Sequence, residues 1–283
     1  MIMSSLGWNE ISISNYDDLK SANDQLHQAT QFLAIIGTNL IPQKPDDSNA
    51  NIGIIAGGLI GRKVNGSKPF HAFIDIPGFT LNLIDPDMSR ISTIDFDGKN
   101  RNEVLAELKS AVTQLGLEGT SLKHIDHYTI EKEHPIQKGA SFAKPDEEVL
   151  RTLHSLYSNA RIVLRHTSKS LEFADEIRIW PHHFDIGTYI PLNKEGTKSI
   201  GIGLAIPDSV VDEFYFYTYG WQKDVSIDMS NFAALSVGEW KTGDWKGGLL
   251  PISELISGNG EEQSEKASTF LKESINEFLK VLQ

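Results

Sequence analysis

The stretch KPFHAFIDIPGFTLNLID, residues 68–85, decides the fold class. Two short runs rich in Ile, Leu and Phe flank a Pro-Gly step, the pattern of two strands joined by a turn. The same pattern extends to both sides. NIGIIAGGLIGRKV precedes it and RISTIDF follows, separated by Asn-Gly and Asp-Pro-Asp turn signals, so residues 51–96 read as a meander of strands. Helices bracket the meander. Leu19, Ala22, Leu26, Ala29, Leu33 and Ile36 recur at steps of three and four, which predicts an amphipathic helix over 17–37 ended by Gly37, and Val104, Leu105, Leu108, Val112 and Leu115 predict another.

The order then repeats. DEEVLRTLHSLYSNARIVLRH carries Val149, Leu150, Leu153, Leu156, Ala160 and Val163 at helical spacing, with acids in its first turn and Arg165 and His166 near its end. DEIRIW, FDIGTYIPL, KSIGIGLAI and EFYFYTYGW read as strands, with LSVGEW and GGLLPI as further candidates, and a last helix runs from about Glu262 to Leu282. The expected architecture is α+β, antiparallel sheets with helices packed on one face, arranged as two helix–strands–helix halves that suggest a pseudo-repeat. The halves are 1–117 and 146–283, joined by a connector over 118–145 and packed into one compact body. Residues 41–51 and 257–265, rich in turn formers, are expected to be the least ordered loops.

Composition narrows the function. A chain of 283 residues, 40% of them hydrophobic, is globular in character and long enough to bury a sizeable core. The absence of cysteine excludes disulfides and thiolate chemistry, so any metal would rest on His, Asp or Glu. A formal net charge of −12 disfavours nucleic acid. No apolar run is long enough to cross a bilayer, and MIMSSLGWNEISI lacks the basic and apolar regions of a leader, so a soluble cytoplasmic protein without membrane partners is expected.

One motif stands out, EIRIWPHHFDIG at 176–187. Ile177 and Ile179 share one parity, Phe184 and Ile186 the other, and a straight strand cannot change its inward parity. Pro181 has no amide donor, so a bulge or corner is expected at Trp180–His183. Such a corner re-aims His182 and His183 toward one cavity, where Asp185 would orient His183. Packing alone explains the corner about as well. Metal is the weaker reading, since H-H-x-D is not a diagnostic ligand spacing, and neither a metal nor a cofactor is expected. His124 and His127 fall in an irregular connector and are expected to be solvent-exposed. His134 is held extended by Pro135 and projects from the connector.

HYTIEKEHPIQKGASF, IRIWPHHFDIGTYI, IGIGLAIPD, EFYFYTYGW and GEWKTGDWKGGLLPISEL follow one another in an order that resembles an uncharacterised bacterial family of unknown function. That family carries a W-P-H-H-F-D motif followed by a Tyr-rich strand. The resemblance is clearest from Tyr128 to Leu255 and brings no activity with it. It implies that Tyr128, His134, Trp180, Pro181, His182, His183, Asp185, Tyr215, Tyr217, Trp240 and Trp245 form one shared region.

In EFYFYTYGW, Tyr215, Tyr217 and Tyr219 share one strand face, and in SIGIGLAI the residues Ser199, Gly201, Gly203 and Ala205 share one. The small side chains leave room for a helix or a ligand. No P-loop, dinucleotide fingerprint, G-x-S-x-G or H-E-x-x-H is present. The expectation is small-molecule binding, with His182, His183 and Asp185 as candidate chemical groups and Tyr128, His134, Trp180, Tyr215, Tyr217, Trp240 and Trp245 as candidate ligand contacts. The alternatives are a hydrolase or isomerase using His182 or His183 as general acid-base, and a structural or interaction protein.

Overall fold

A computed structural model describes residues 7–130, 132–169, 171, 174 and 176–282. The fold is α+β, with two antiparallel sheets. The chain divides into two compact units, one of Ile13–His154 and Ile179–Phe184, the other of Met1–Ser12, Ser155–Arg178 and Asp185–Gln283. The connector 118–145 therefore groups with the residues before it, and the WPHHF stretch groups with them as well.

In the Ile13–His154 unit, helix α1 (Tyr16–Leu40) is followed by strands β1 (Gly53–Ile55), β2 (Gly58–Ile60), β3 (His71–Asp75), β4 (Thr80–Ile84) and β5 (Arg90–Asp95), then α2 (Arg101–Gln114). The strands form a meander in chain order, β1-β2-β3-β4-β5. NIGIIAGGLI, which reads as one strand, is a hairpin turned at Gly57, whose φ of 81° lies in the left-handed region open to glycine. α1 packs on β3 and α2 on β5. The core gathers Phe32, Phe79, Phe96 and Phe142, with ring centroids 5.1–6.3 Å apart. Phe142 comes from the connector, anchored by a parallel bridge to Asp97.

Gly37 does not end α1, which continues to Leu40. A Cβ at Gly37 would lie 2.6 Å from the Asn49 carbonyl oxygen, and Asn49 Nδ2 donates to the Gly37 carbonyl. The glycine is there for close approach of the 41–51 loop. α1 is also buried well beyond its apolar stripe, since Asn23, His27, Gln28, Thr30 and Gln31 are all buried.

α3 (Glu147–Ser168) crosses the division between the units. Strands β6 (Arg178–Ile179), β7 (Ile186–Pro191), β8 (Lys198–Ala205), β9 (Tyr215–Gln222), β10 (Glu239–Thr242) and β11 (Lys246–Pro251) form a sheet of order β10-β11-β9-β8-β7-β6, followed by α4 (Ile252–Leu255) and α5 (Gly260–Leu282). α5 packs on β8, β9 and β11. Ser274 Oγ reaches Thr218 Oγ1 at 2.9 Å, which puts the even residues of β9 under the helix and the tyrosines on the other face. Part of the expected 257–265 loop is helix. Asn259 accepts the amides of Glu261 and Glu262 while Glu262 accepts that of Asn259, a reciprocal cap written in the sequence as N-G-E-E. Among the described residues, no helix is long and apolar enough to cross a membrane.

Candidate functional site

The parity change in EIRIWPHHFDIG is a closed turn. Pro181, His182 and His183 form it, and the Phe184 amide donates back to the Trp180 carbonyl at 2.6 Å. Phe184 sits at φ 56°, an unusual place for an aromatic residue, and is fully buried. Its ring stacks on His27 with centroids 5.0 Å apart. The chain leaves the turn re-aimed, with Ile179 buried before it and Ile186 after it.

The turn is gripped from α1. His27 Nε2 donates to the Pro181 carbonyl at 2.9 Å and Gln31 Nε2 donates to the same oxygen at 2.8 Å, so both of its lone pairs are used. One helical turn separates His27 from Gln31, which is what lets two side chains converge on one atom. Gln31 Oε1 in turn accepts the Tyr128 hydroxyl at 2.8 Å. Burial holds the His27 imidazole neutral, with its pKa down at about 4. Burial also raises the Tyr128 phenol, against the pull of Arg101.

Held this way, the turn presents its imidazoles side by side. The His182 and His183 rings have centroids 4.2 Å apart, and Tyr128 lies 5.5 Å and Trp180 6.4 Å from His182. His182 is half-buried and His183 exposed. Burial, then the neighbouring His183, lowers the His182 pKa, with Asp47 opposing. His127 stands edge-on to Tyr128 at 5.0 Å, its Nε2 3.7 Å from Asp47 Oδ2. His127 is exposed as expected. His124 is half-buried instead, because its ring nitrogens face Arg101 Nη2 at 3.4 Å and Asn102 Oδ1 at 3.2 Å. His134 caps a 3-10 turn over Pro135–Lys138, its Nδ1 accepting the Ile136 amide. Its pKa is lowered, mainly by burial.

Asp185 belongs to the other unit. Its Oδ2 accepts the Tyr217 hydroxyl at 2.7 Å, and Tyr215 donates to Asp208 Oδ2 at 2.8 Å. Burial, reinforced by Asp185, raises the Tyr217 phenol, and the same pair of causes raises Tyr219. The glycines of β8 make this geometry. Gly203 pairs with Tyr217 and Gly201 with Tyr219. A Cβ at Gly203 would lie 2.4 Å from the Tyr217 ring and one at Gly201 2.3 Å from the Tyr219 ring. The close approach expected of a helix or a ligand is made by the neighbouring strand's phenols, which cross the glycines toward β7. Trp245 lies over Gly247 on this face, whereas Trp240 is on the α5 face, packed edge-on against Phe232 and Phe278 with its Nε1 donating to the Ala233 carbonyl.

The sequence points to the turn and its histidines but not to the grip. His27 and Gln31 carry no such signal: they are polar residues at i and i+4 that lie off the apolar stripe of the helix, on a face that reads as solvent-exposed. Among the described residues, no group of three or more His, Asp or Glu side chains is arranged to hold a metal ion. Comparison with family models, with curated proteins and with solved structures finds no match. The family resemblance therefore rests on the quoted motifs alone.

Proposed function

We propose that the protein binds a small molecule against the Trp180–Phe184 turn, with His182, His183 and Tyr128 as its contact surface. The observation that carries this reading is the fixing of the Pro181 carbonyl by two buried donors, His27 and Gln31. Sinking two polar side chains into an interior to position one turn is costly unless their bonds are made, and the turn they position leaves the His183 imidazole exposed. A surface of imidazole and phenol offers flat apolar area together with a few directed polar atoms, the usual make-up of a small-molecule site. The Tyr215 and Tyr217 hydroxyls are donated to Asp208 and Asp185, which suits them to holding the sheet.

One observation favours an enzyme as the second reading. Burial lowers the His182 pKa, so its imidazole is neutral near pH 7 and able to take a proton from a bound substrate. Hydrolysis or isomerisation are the reactions this group would serve.

A thermal-shift screen of small molecules tests the binding reading. Compounds that raise Tm in the native protein should lose that effect in His183→Ala and keep it in Met88→Ala, an exposed control. Equal stabilisation of both variants by every hit would remove the turn from consideration. Turnover of a hit, lost in His182→Ala, would promote the enzymatic reading.

A further inference from the structure

Among the described residues no carboxylate lies within ion-pair distance of Arg101, the first residue of α2. Its Nη2 meets His124 Nδ1 at 3.4 Å, and His124 Nε2 meets Asn102 Oδ1 at 3.2 Å. An amide oxygen only accepts, so Nε2 carries the hydrogen, Nδ1 accepts from Arg101, and His124 is neutral. The Arg101 Nε is buried without a hydrogen-bond partner.

This is an odd arrangement for a chain of net charge −12, which has acids to spare. A half-buried guanidinium gives up part of its hydration, and a facing neutral imidazole returns little of it. An anion supplied from outside would return more, through charge-assisted bonds to the planar fork. Arg101 meets His124, and four residues further along the same stretch Tyr128 adjoins the His182 ring, so the cation stands on the segment that leads to the imidazole turn.

We infer that the ligand of this turn is a carboxylate with a flat body, its charge received by Arg101 and its body laid against Tyr128 and His182. This rests on the binding reading above and adds the ligand class. A singly charged group is favoured over phosphate because one guanidinium balances one charge, and Asp47, whose Oδ2 lies 3.7 Å from the His127 that stands edge-on to Tyr128, repels a second.

The probes are benzoate, the isosteric neutral benzamide, and inorganic phosphate. Each is titrated into the full chain while the His124 and His182 imidazole signals are followed by NMR. Benzoate should shift both signals saturably and bind at least about tenfold more tightly than benzamide or phosphate, a comparison that needs no variant. Arg101→Gln should weaken benzoate about tenfold or more and leave benzamide unchanged. No saturable benzoate effect, equal affinity for benzamide, tighter phosphate binding, or undiminished benzoate binding in Arg101→Gln would each overturn the inference. Equal benzoate and benzamide binding that is lost in His183→Ala would sink the carboxylate inference while sparing the binding site.

Discussion

The Pro181 carbonyl accepts a hydrogen bond from His27 Nε2 across 154 residues of sequence. The bond ties the helix that opens one unit to a turn that the chain inserts into that unit from far downstream. Because the donor is a buried, neutral imidazole, the tie depends on pH.

The folded His27 titrates near 4 and an unperturbed imidazole at 6.5. Above pH 6.5 both states are neutral and the fold keeps its full stability. Between 6.5 and 4 the unfolded chain takes up a proton that the native His27 refuses, so stability falls as pH falls. Each pH unit crossed in that window removes about 1.4 kcal/mol, so the loss approaches roughly 3 kcal/mol by pH 4. His27→Gln keeps an N–H for Pro181 and removes the titration. Urea unfolding at several pH values should show a clearly flatter acid limb in the variant, and an unchanged limb would mean that His27 is not buried as described.

Gly201 and Gly203 make a sharper test than a simple deletion. The three atoms nearest a Cβ at Gly201 all belong to the Tyr219 side chain, whereas one at Gly203 meets the Tyr217 ring and also the Ile186 carbonyl oxygen at 2.6 Å. Each Gly→Ala change should cost about 1–3 kcal/mol by overpacking. In a Tyr219→Ala background Gly201→Ala should cost clearly less, because its nearest obstacles have gone. Gly203→Ala should stay costly in Tyr217→Ala, because the backbone oxygen remains. No rescue of Gly201→Ala by Tyr219→Ala in a double-mutant cycle would contradict the crossing of the phenols over β8, and full rescue of Gly203→Ala by Tyr217→Ala would contradict the close approach of the Ile186 carbonyl.

Phe184 inverts a usual order. Its φ of 56° costs an L side chain about 1–2 kcal/mol, and glycine does not bear that strain. Phe184→Ala loses the stacking on His27 and keeps the strained backbone, while Phe184→Gly loses the stacking and relieves the strain. Glycine should therefore destabilise no more than alanine in denaturant unfolding, although it normally costs more.

These residues also show where sequence reading stops. The sheets are legible because strands and turns are local: alternation and Pro-Gly steps give the meander, and the parity break with Pro181 gives the turn. Phe184 at positive φ carries no local mark, since it is held there by packing on His27, far away in the chain. His27 and Gln31 lie off the apolar stripe of α1 and are legible only as a polar face, because periodicity weighs hydrophobic positions and is blind to a polar residue whose partner is remote. Gly201 and Gly203 mark room for a close neighbour in the sequence itself. What fills that room depends on strand register, and register is a tertiary property.

His183 and Trp180 decide between a site and a packing corner. His183 is exposed, so His183→Ala should change stability by no more than about 0.5 kcal/mol. Trp180 is half-buried and stands edge-on to His182, so Trp180→Ala should cost more than that, yet less than the 3–5 kcal/mol or so of a fully buried indole. The two effects separate only if the imidazole pair contributes surface and the indole contributes packing. Denaturant midpoints for both variants, measured above pH 7 where His27 does not titrate in either state, read this directly. Should His183→Ala destabilise as much as Trp180→Ala, the pair is part of the packing, and neither ligand binding nor acid-base chemistry need be sought at this turn.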